Sequence, residues 1–292
     1  LDTAIAVMSG WVSGAAIVVA LGAPSRRPTA DAIVTGLAAV GVPLAKLEAA
    51  SVDARGSTPY FATRTDGQRL FVKALGEDER SADLMFRIYR KLQPRNLGDE
   101  KSFSSLRRAV EHEALVALAA RDVGVRTPRF VAFASAKPNG YVLAYEAIAG
   151  RSLDRIEPEE LTDDVLRAVW DQLVILRRHR IAHRDLRLAN VVLADDGAAW
   201  IIDFGFSELA VSDLLLATDL AELLASSASM VGVDRAVAVG RTTVGPEALA
   251  TALDRLKLPM LSGATRTAMK AQPGLLDALR AAVSSGAPSL TP

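Results

Sequence analysis

The chain has 292 residues, 50% of them apolar and 23% charged, which allows two lobes with a sizeable core and argues against disorder. Its 34 basic and 34 acidic side chains cancel, so no global field draws it to nucleic acid, and no nucleic-acid partner is expected. Cysteine is absent, which removes disulfides and thiolate chemistry, and the three histidines (His112, His179, His183) cannot by themselves build a zinc centre, so any metal should be a hard cation held by oxygen.

From Thr3 to Ser25 no side chain ionises, a run long enough to span a bilayer, and Arg26 and Arg27 follow at once. The positive-inside rule would then leave the rest of the chain in the cytoplasm, a compartment that the lack of cysteine also fits. Residues 1–27 are therefore a candidate transmembrane or apolar leader helix, although Ser9, Gly10, Ser13 and Gly14 dilute it. Residues 29–41 open with Thr and Asp and carry Ile33, Val34, Leu37 and Ala38 at helical spacing. Two runs of strand character, 60–65 and 69–74, are joined through Asp66-Gly67, a hairpin signal.

Helical patterning returns at 80–93 and 104–122, around a polar loop at 94–102, and two further strands, 129–134 and 141–146, flank turn residues. Residues 162–180 begin with an N-cap threonine and acidic first turn and end on basic residues, which suits a helix dipole. Beyond residue 207 every legible segment is helical, including 246–256 with proline at its first turn, and 284–292 resembles a linker. The order predicts an α+β chain in two lobes, a mainly antiparallel sheet with helices at 28–149 and a mostly helical part at 150–283.

The segment "IAHRDLRLANVVLADDGAAWIIDFG", residues 181–205, carries the chemistry. Asp185 and Asn190 frame a short loop, and Asp203 ends a strand and is followed by Gly205, where the backbone can turn sharply. A hairpin of "VVLA" and "AAWIID" would bring Asn190 and Asp203 to one end, where they could share a metal. Phosphoryl transfer needs such parts: a held Mg-nucleotide, neutralised phosphates and a carboxylate beside the attacking hydroxyl.

"HRDLRLAN" and "DFG" resemble the catalytic and metal-binding loops of the protein-kinase-like superfamily. The resemblance implies a bilobal kinase-like fold using ATP and Mg2+, with Asp185 as catalytic base, Asn190 and Asp203 as metal ligands, and Arg187 meeting the transferring phosphate. It implies a structural role for His183, packing the loop. It also implies a lysine on the third strand, which is Lys73 in "RLFVKA", and a helical glutamate partner. Glu113 is preferred, on a stripe with Leu106, Val110 and Ala117, and Glu111, on a stripe with Leu115 and Leu118, competes. The phrase around Glu113 resembles small atypical kinases related to aminoglycoside phosphotransferases.

By the same resemblance Tyr145 guards the inner pocket, and the carbonyl of Glu146 and N–H of Ile148 pair with adenine. The phosphate loop, "DARGSTPYF", is thin, with backbone N–H groups of Gly56, Ser57 and Thr58 as a small anion cradle and Pro59 lacking a donor. No APE motif is present, and only residues 206–218 separate DFG from a helix expected near Asp219. "DLAELLA" there resembles a helix of aminoglycoside and choline kinase relatives whose Asp braces the catalytic loop. Acceptor contacts are expected from residues after 210 and from the insertion at 76–104, where Leu84, Met85, Ile88 and Tyr89 form one helical face.

The chain also resembles kinase-like modules of actinobacterial multipass proteins with a lysylphosphatidylglycerol-synthase-like membrane region. The expected function is phosphoryl transfer from ATP to a small-molecule or lipid-headgroup hydroxyl at the cytoplasmic face of the membrane, beside a membrane region of the same or a partner protein. A nucleotide-binding regulatory domain gating such a partner is the alternative, and protein phosphorylation the third.

Overall fold

The computed structural model describes residues 27–50, 57–76, 106–137 and 140–285. The expected membrane segment, Gly56, the helix at 80–93 and its insertion, and the end of the tail lie outside these residues. The described chain is α+β: a five-stranded antiparallel sheet with a helix on each face, followed by a mainly helical half.

The first helix, α1 (Ala30–Ala39), starts where the Thr29 side chain accepts the Ala32 N–H, and Ile33 and Leu37 form its buried face. Strands β1 (Leu44–Ala49), β2 (Thr58–Arg64) and β3 (Arg69–Gly76) then run antiparallel in sequence order. Helix α2 (Leu106–Asp122) precedes β4 (Phe130–Ala136) and β5 (Gly140–Glu146), and β5 inserts between β3 and β4 to give the order β1-β2-β3-β5-β4. β1 was not foreseen. Its composition, Leu-Ala-Lys-Leu-Glu-Ala, suits a helix better than a strand, but as an edge it needs one partner only and leaves Lys46 and Glu48 in water.

Alternation divides the sheet between two cores. Leu70, Val72 and Ala74 of β3 join Ala132, Ala134, Val142 and Ala144 beneath Ile33 and Leu37 of α1. On the other face Leu143 and Tyr145 join Val110, Ala114 and Ala117 of α2, in a core that continues into the helical half.

That half begins with β6 (Gly150–Ser152), which pairs with β7 (Val191–Ala194), itself a hairpin with β8 (Ala199–Ile201). Between them α3 (Asp163–Arg178) starts at Thr162, whose side chain accepts the Val165 N–H, and ends on Arg177 and Arg178. The helix after DFG, α4 (Asp213–Val231), starts six residues before the expected Asp219, with Ser212 extended at its N-cap position and the Asp213 carboxylate in its first turn. α5 (Val233–Val244), α6 (Pro246–Ala250), α7 (Gly263–Ala271) and α8 (Leu275–Ser284) complete the half. The single helix expected over 246–256 ends as α6 at Ala250 and tightens into a 3₁₀ turn over Thr251–Asp254.

By length and mean hydropathy α4 could cross a membrane, but 72% of its apolar window is buried within the protein, where Leu220, Leu223 and Leu224 are core residues. Its uniform apolarity marks a helix surrounded by others.

The tightest point between α1 and the sheet is Gly36, where a Cβ would fall inside the contact distance of the Ser135 carbonyl oxygen. Gly36→Ala is therefore expected to lower stability by about 1–3 kcal/mol, despite alanine's better helix propensity, seen as a lower urea midpoint at unchanged slope.

Candidate active site

Lys73 faces the α2 side of the sheet, opposite Leu70, Val72 and Ala74, as strand alternation requires. Its Nζ lies 2.6 Å from Glu113 Oε1 and 2.6 Å from Asp203 Oδ1. Glu113 sits on the buried stripe of α2 with Val110, Ala114 and Ala117, whereas Glu111 pairs with Arg107 at the surface. Glu113, not Glu111, is thus the partner of Lys73.

Burial alone would lower the Lys73 pKa, but the Asp203 and Glu113 carboxylates outweigh it and hold the ammonium above its ordinary value. Burial would raise Asp203 in turn, and the facing lysine overcomes this and holds the carboxyl below its usual range. Gly205 eases the approach: a Cβ there would stand 3.3 Å from Glu113 Oε2, which would have to shift slightly, and in ordinary contact at 3.5 Å from Asp203 Oδ1. Tyr145 borders the same cluster, with burial driving its phenol well above the usual value and its hydroxyl without a hydrogen-bond partner among the described residues.

The loop that carries Asp185 is held from below by α4. Asp219, fully buried, accepts the N–H groups of His183 and Arg184, each at 2.6 Å. Burial pushes its carboxyl up to about 7, against the pull of those two amides. Arg184 and Asp203 both adopt left-handed backbone, φ 66° and 69°, a cost of order 1–3 kcal/mol each for a non-glycine residue. Asp219 holds the first in place and Lys73 the second. His183, whose pKa burial lowers, packs its ring 4.9 Å from Phe204 and its Nε2 lies 3.0 Å from the Ile202 carbonyl, the structural role expected of it.

Within the loop, Asn190 Nδ2 donates to the Asp185 carbonyl at 2.7 Å and to Asp185 Oδ2 at 3.0 Å. Asp185 is 4% exposed, and its Oδ1 has no partner among the described residues. Arg187 Nε lies 3.4 Å from Asp185 Oδ2, a loose contact that leaves the guanidinium able to reach elsewhere. The β7–β8 hairpin pairs Val191 with Ile201 as expected, and the Ile202 N–H donates to the Asn190 carbonyl, which keeps Asn190 beside Asp203.

The remaining expected residues among those described lie on β2 and in the linker after β5. Thr58 is the first residue of β2, opposite Ala74, and Ser57 before it is buried with its hydroxyl unpartnered among the described residues. In the linker after β5 the Glu146 N–H donates to Arg129 O and its carboxylate pairs with Arg129 and Gln68. The Ala147 N–H donates to Arg69 O, and the Ile148 N–H has no protein acceptor among the described residues. A cavity of ≈ 310 Å³ opens beside this linker between Arg129, Ile148, Asp195 and Trp200, and Lys73, Asp185 and Asp203 do not line it.

Two supports were not foreseen. Ser226 accepts the Leu188 N–H at 3.3 Å, and Glu222 accepts the Ser262 N–H at 2.9 Å and the Thr265 hydroxyl at 2.5 Å. Their signal is spacing: Asp219, Glu222 and Ser226 recur at i, i+3 and i+7 in an otherwise apolar helix.

No known family model matches the chain. A stretch of 68 residues is 29% identical to a Dictyostelium discoideum protein described only as uncharacterised, covering 23% of this chain and 7% of that protein. The chain thus spans a small part of that relative.

The charged cluster sets a pH window. A raised lysine contributes stability below its unfolded pKa of ~10.4 and loses it above, and a lowered aspartate contributes above ~3.9 and loses it below. The stability difference between wild type and Lys73→Met, from denaturant titrations, is expected to be flat from about pH 5 to 9 and to shrink on both sides. A difference that grew toward low pH would show that the cluster is not ionised as described.

Proposed function

We propose that the chain is an ATP- and magnesium-dependent phosphotransferase of the protein-kinase-like superfamily, close in layout to its aminoglycoside-phosphotransferase branch. The observation that carries this reading is the junction of Lys73, Glu113 and Asp203, two 2.6 Å contacts of which the second joins the sheet half to the helical half, beside the loop of Asp185 and Asn190. Phosphate chemistry needs both a glutamate that orients the lysine and an aspartate nearby for the metal, and the cluster brings the two together.

In this reading Glu113 orients Lys73, whose ammonium neutralises donor phosphates. Asp185 accepts the proton of the attacking hydroxyl through Oδ1, the oxygen left unclaimed, while Asn190 fixes Oδ2. Donation through Nδ2 leaves Asn190 Oδ1 for a hard cation shared with Asp203, and Arg187 meets the transferring phosphate. No group of three or more His, Asp or Glu among the described residues is arranged to hold an ion alone. That suits Mg2+, which takes one or two protein ligands and fills its octahedron with water and phosphate oxygens. Bound there, the ion would supply charge neutralisation on the phosphates. The backbone of Glu146 and Ile148, and the N–H groups of Gly56, Ser57 and Thr58, are assigned to adenine and phosphate.

The acceptor is a small-molecule or lipid-headgroup hydroxyl. The short connection from Gly205 to Asp213 supports this, since it leaves little chain for docking a peptide. The apolar run from Thr3 to Ser25 supports a site at the cytoplasmic face of a membrane. One observation favours the regulatory alternative: Lys73 engages the carboxylate that catalysis assigns to the metal.

ADP release and product mass under Mg-ATP separate the two. Catalysis predicts that Asp185→Asn lowers turnover about 10²- to 10⁴-fold with nucleotide affinity nearly unchanged. Near-zero turnover in both proteins, with nucleotide still bound, would favour regulation. Asp203→Ala is expected to abolish the magnesium dependence of nucleotide binding in calorimetry, and unaltered dependence would remove the metal assignment.

A further inference from the structure

The cavity of ≈ 310 Å³ beside the linker belongs to no part of the phosphotransfer reading. Linker residues 146–149 form one wall, the β7–β8 turn at Ala194–Asp196 a second, and Pro128 and Arg129, just before β4, a third. Because β5 separates β4 from β3, Pro128 and Arg129 stand on the opposite side of that strand from Lys73. No residue assigned to phosphate or metal lines the cavity.

Trp200 completes the lining. Its neighbours on β8, Ala199 and Ile201, are buried in the core, so alternation turns Trp200 to the other face of the hairpin. There it joins none of the buried apolar clusters and stays partly exposed. Its indole N–H has no acceptor among the described residues, so no hydrogen bond of its own fixes the ring. A large ring that serves no core, set at the edge of a cavity, is apolar surface kept for a ligand.

Charge around the cavity selects which ligand. Arg129 and Glu146 pair at 2.6 Å and cancel. Asp195 and Asp196 are exposed and make no ion pair among the described residues, and Arg151, which feels the Asp195 charge, is held by Glu160. The turn that carries them is fixed: the Asp195 N–H donates to Ala149 O at 3.1 Å, and Asp196 Oδ1 accepts the Ala198 N–H at 3.0 Å. Two uncompensated carboxylates, an indole and the apolar walls of Pro128, Ala147 and Ala149 therefore surround one space. A guanidinium suits all three, since it is weakly hydrated, stacks on aromatic faces and offers a planar fork of donors to carboxylates.

We propose that this cavity binds a small guanidinium compound, its charge at Asp195 and Asp196 and its apolar stem along Trp200 and the linker. The site is separate from Lys73, Asp185 and Asp203, and each of the two readings stands or falls without the other.

The test is a magnetic-resonance titration of the whole chain, isotope-labelled in its tryptophan side chains, with butylguanidinium and with butylurea, which keeps the shape and lacks the charge. Ionic strength is matched with sodium chloride. The chain has three tryptophans, and the indole signal lost in Trp200→Phe is that of Trp200. The Trp200 signal should shift saturably with butylguanidinium while the other two stay in place. Butylurea should bind about 5- to 30-fold more weakly, the worth of two partly exposed charge contacts. The double variant Asp195→Asn, Asp196→Asn keeps the turn's acceptor and removes the charge, so it should bind both compounds as weakly as the wild type binds butylurea. Absence of a saturable shift at Trp200, or equal movement of all three signals, would overturn the site. Equal affinity of the wild type for the two compounds, or a preference that survived in the double variant, would overturn the choice of a cation.

Discussion

A lysine ammonium buried between two carboxylates sets the terms for the rest of this molecule. Taking Lys73 out of water costs several kcal/mol unless its partners approach closely, and its partners come from elements far apart in sequence, α2 and the turn after β8. Helix α2 must therefore pack across the sheet with Glu113 inward, the chain after β8 must bring Asp203 to the same point, and residue 205 lies close against both carboxylates. The left-handed backbone at Asp203 is part of the same arrangement, since it aims the carboxylate at the lysine.

The helical half supplies a second fixed point. Its most apolar helix, α4, carries a polar line of Asp219, Glu222 and Ser226 into the core, and each member captures backbone N–H groups that would otherwise be buried without acceptors. The loop from His183 to Asn190 is irregular yet buried, a combination that such side-chain acceptors make tolerable. Asp219 is thereby connected to Asp185 through two residues of backbone, and the start of α7 is fastened to the same helix at Ser262 and Thr265.

Much of this was legible in order and little of it in contact. Hairpin residues Asp66-Gly67, the N-caps Thr29 and Thr162 and the alternation around Lys73 are local signals, and local structure follows them. The edge strand β1 escaped because its composition contradicts its conformation, and the start of α4 was set too late because a resemblance marked Asp219 rather than the capping residues before it. Glu113 and Glu111 could not be separated by periodicity, since each lies on an apolar stripe. Leu115 and Leu118, the neighbours of Glu111, turn out to face solvent, a choice made by what covers the helix.

By itself the sequence determined the alternation of sheet and helix, the polar residues spaced along residues 181–205, and the presence of one lysine at a strand position facing away from the apolar residues on either side. Those are properties of neighbouring residues, carried by periodicity and turn chemistry. Only the tertiary structure decided which glutamate meets Lys73, that Asp203 meets it as well, that α4 is a core helix, and that Trp200 and the linker border one cavity. Each of these depends on strand register or on what packs against a face, and both are settled by long-range burial that no local pattern encodes.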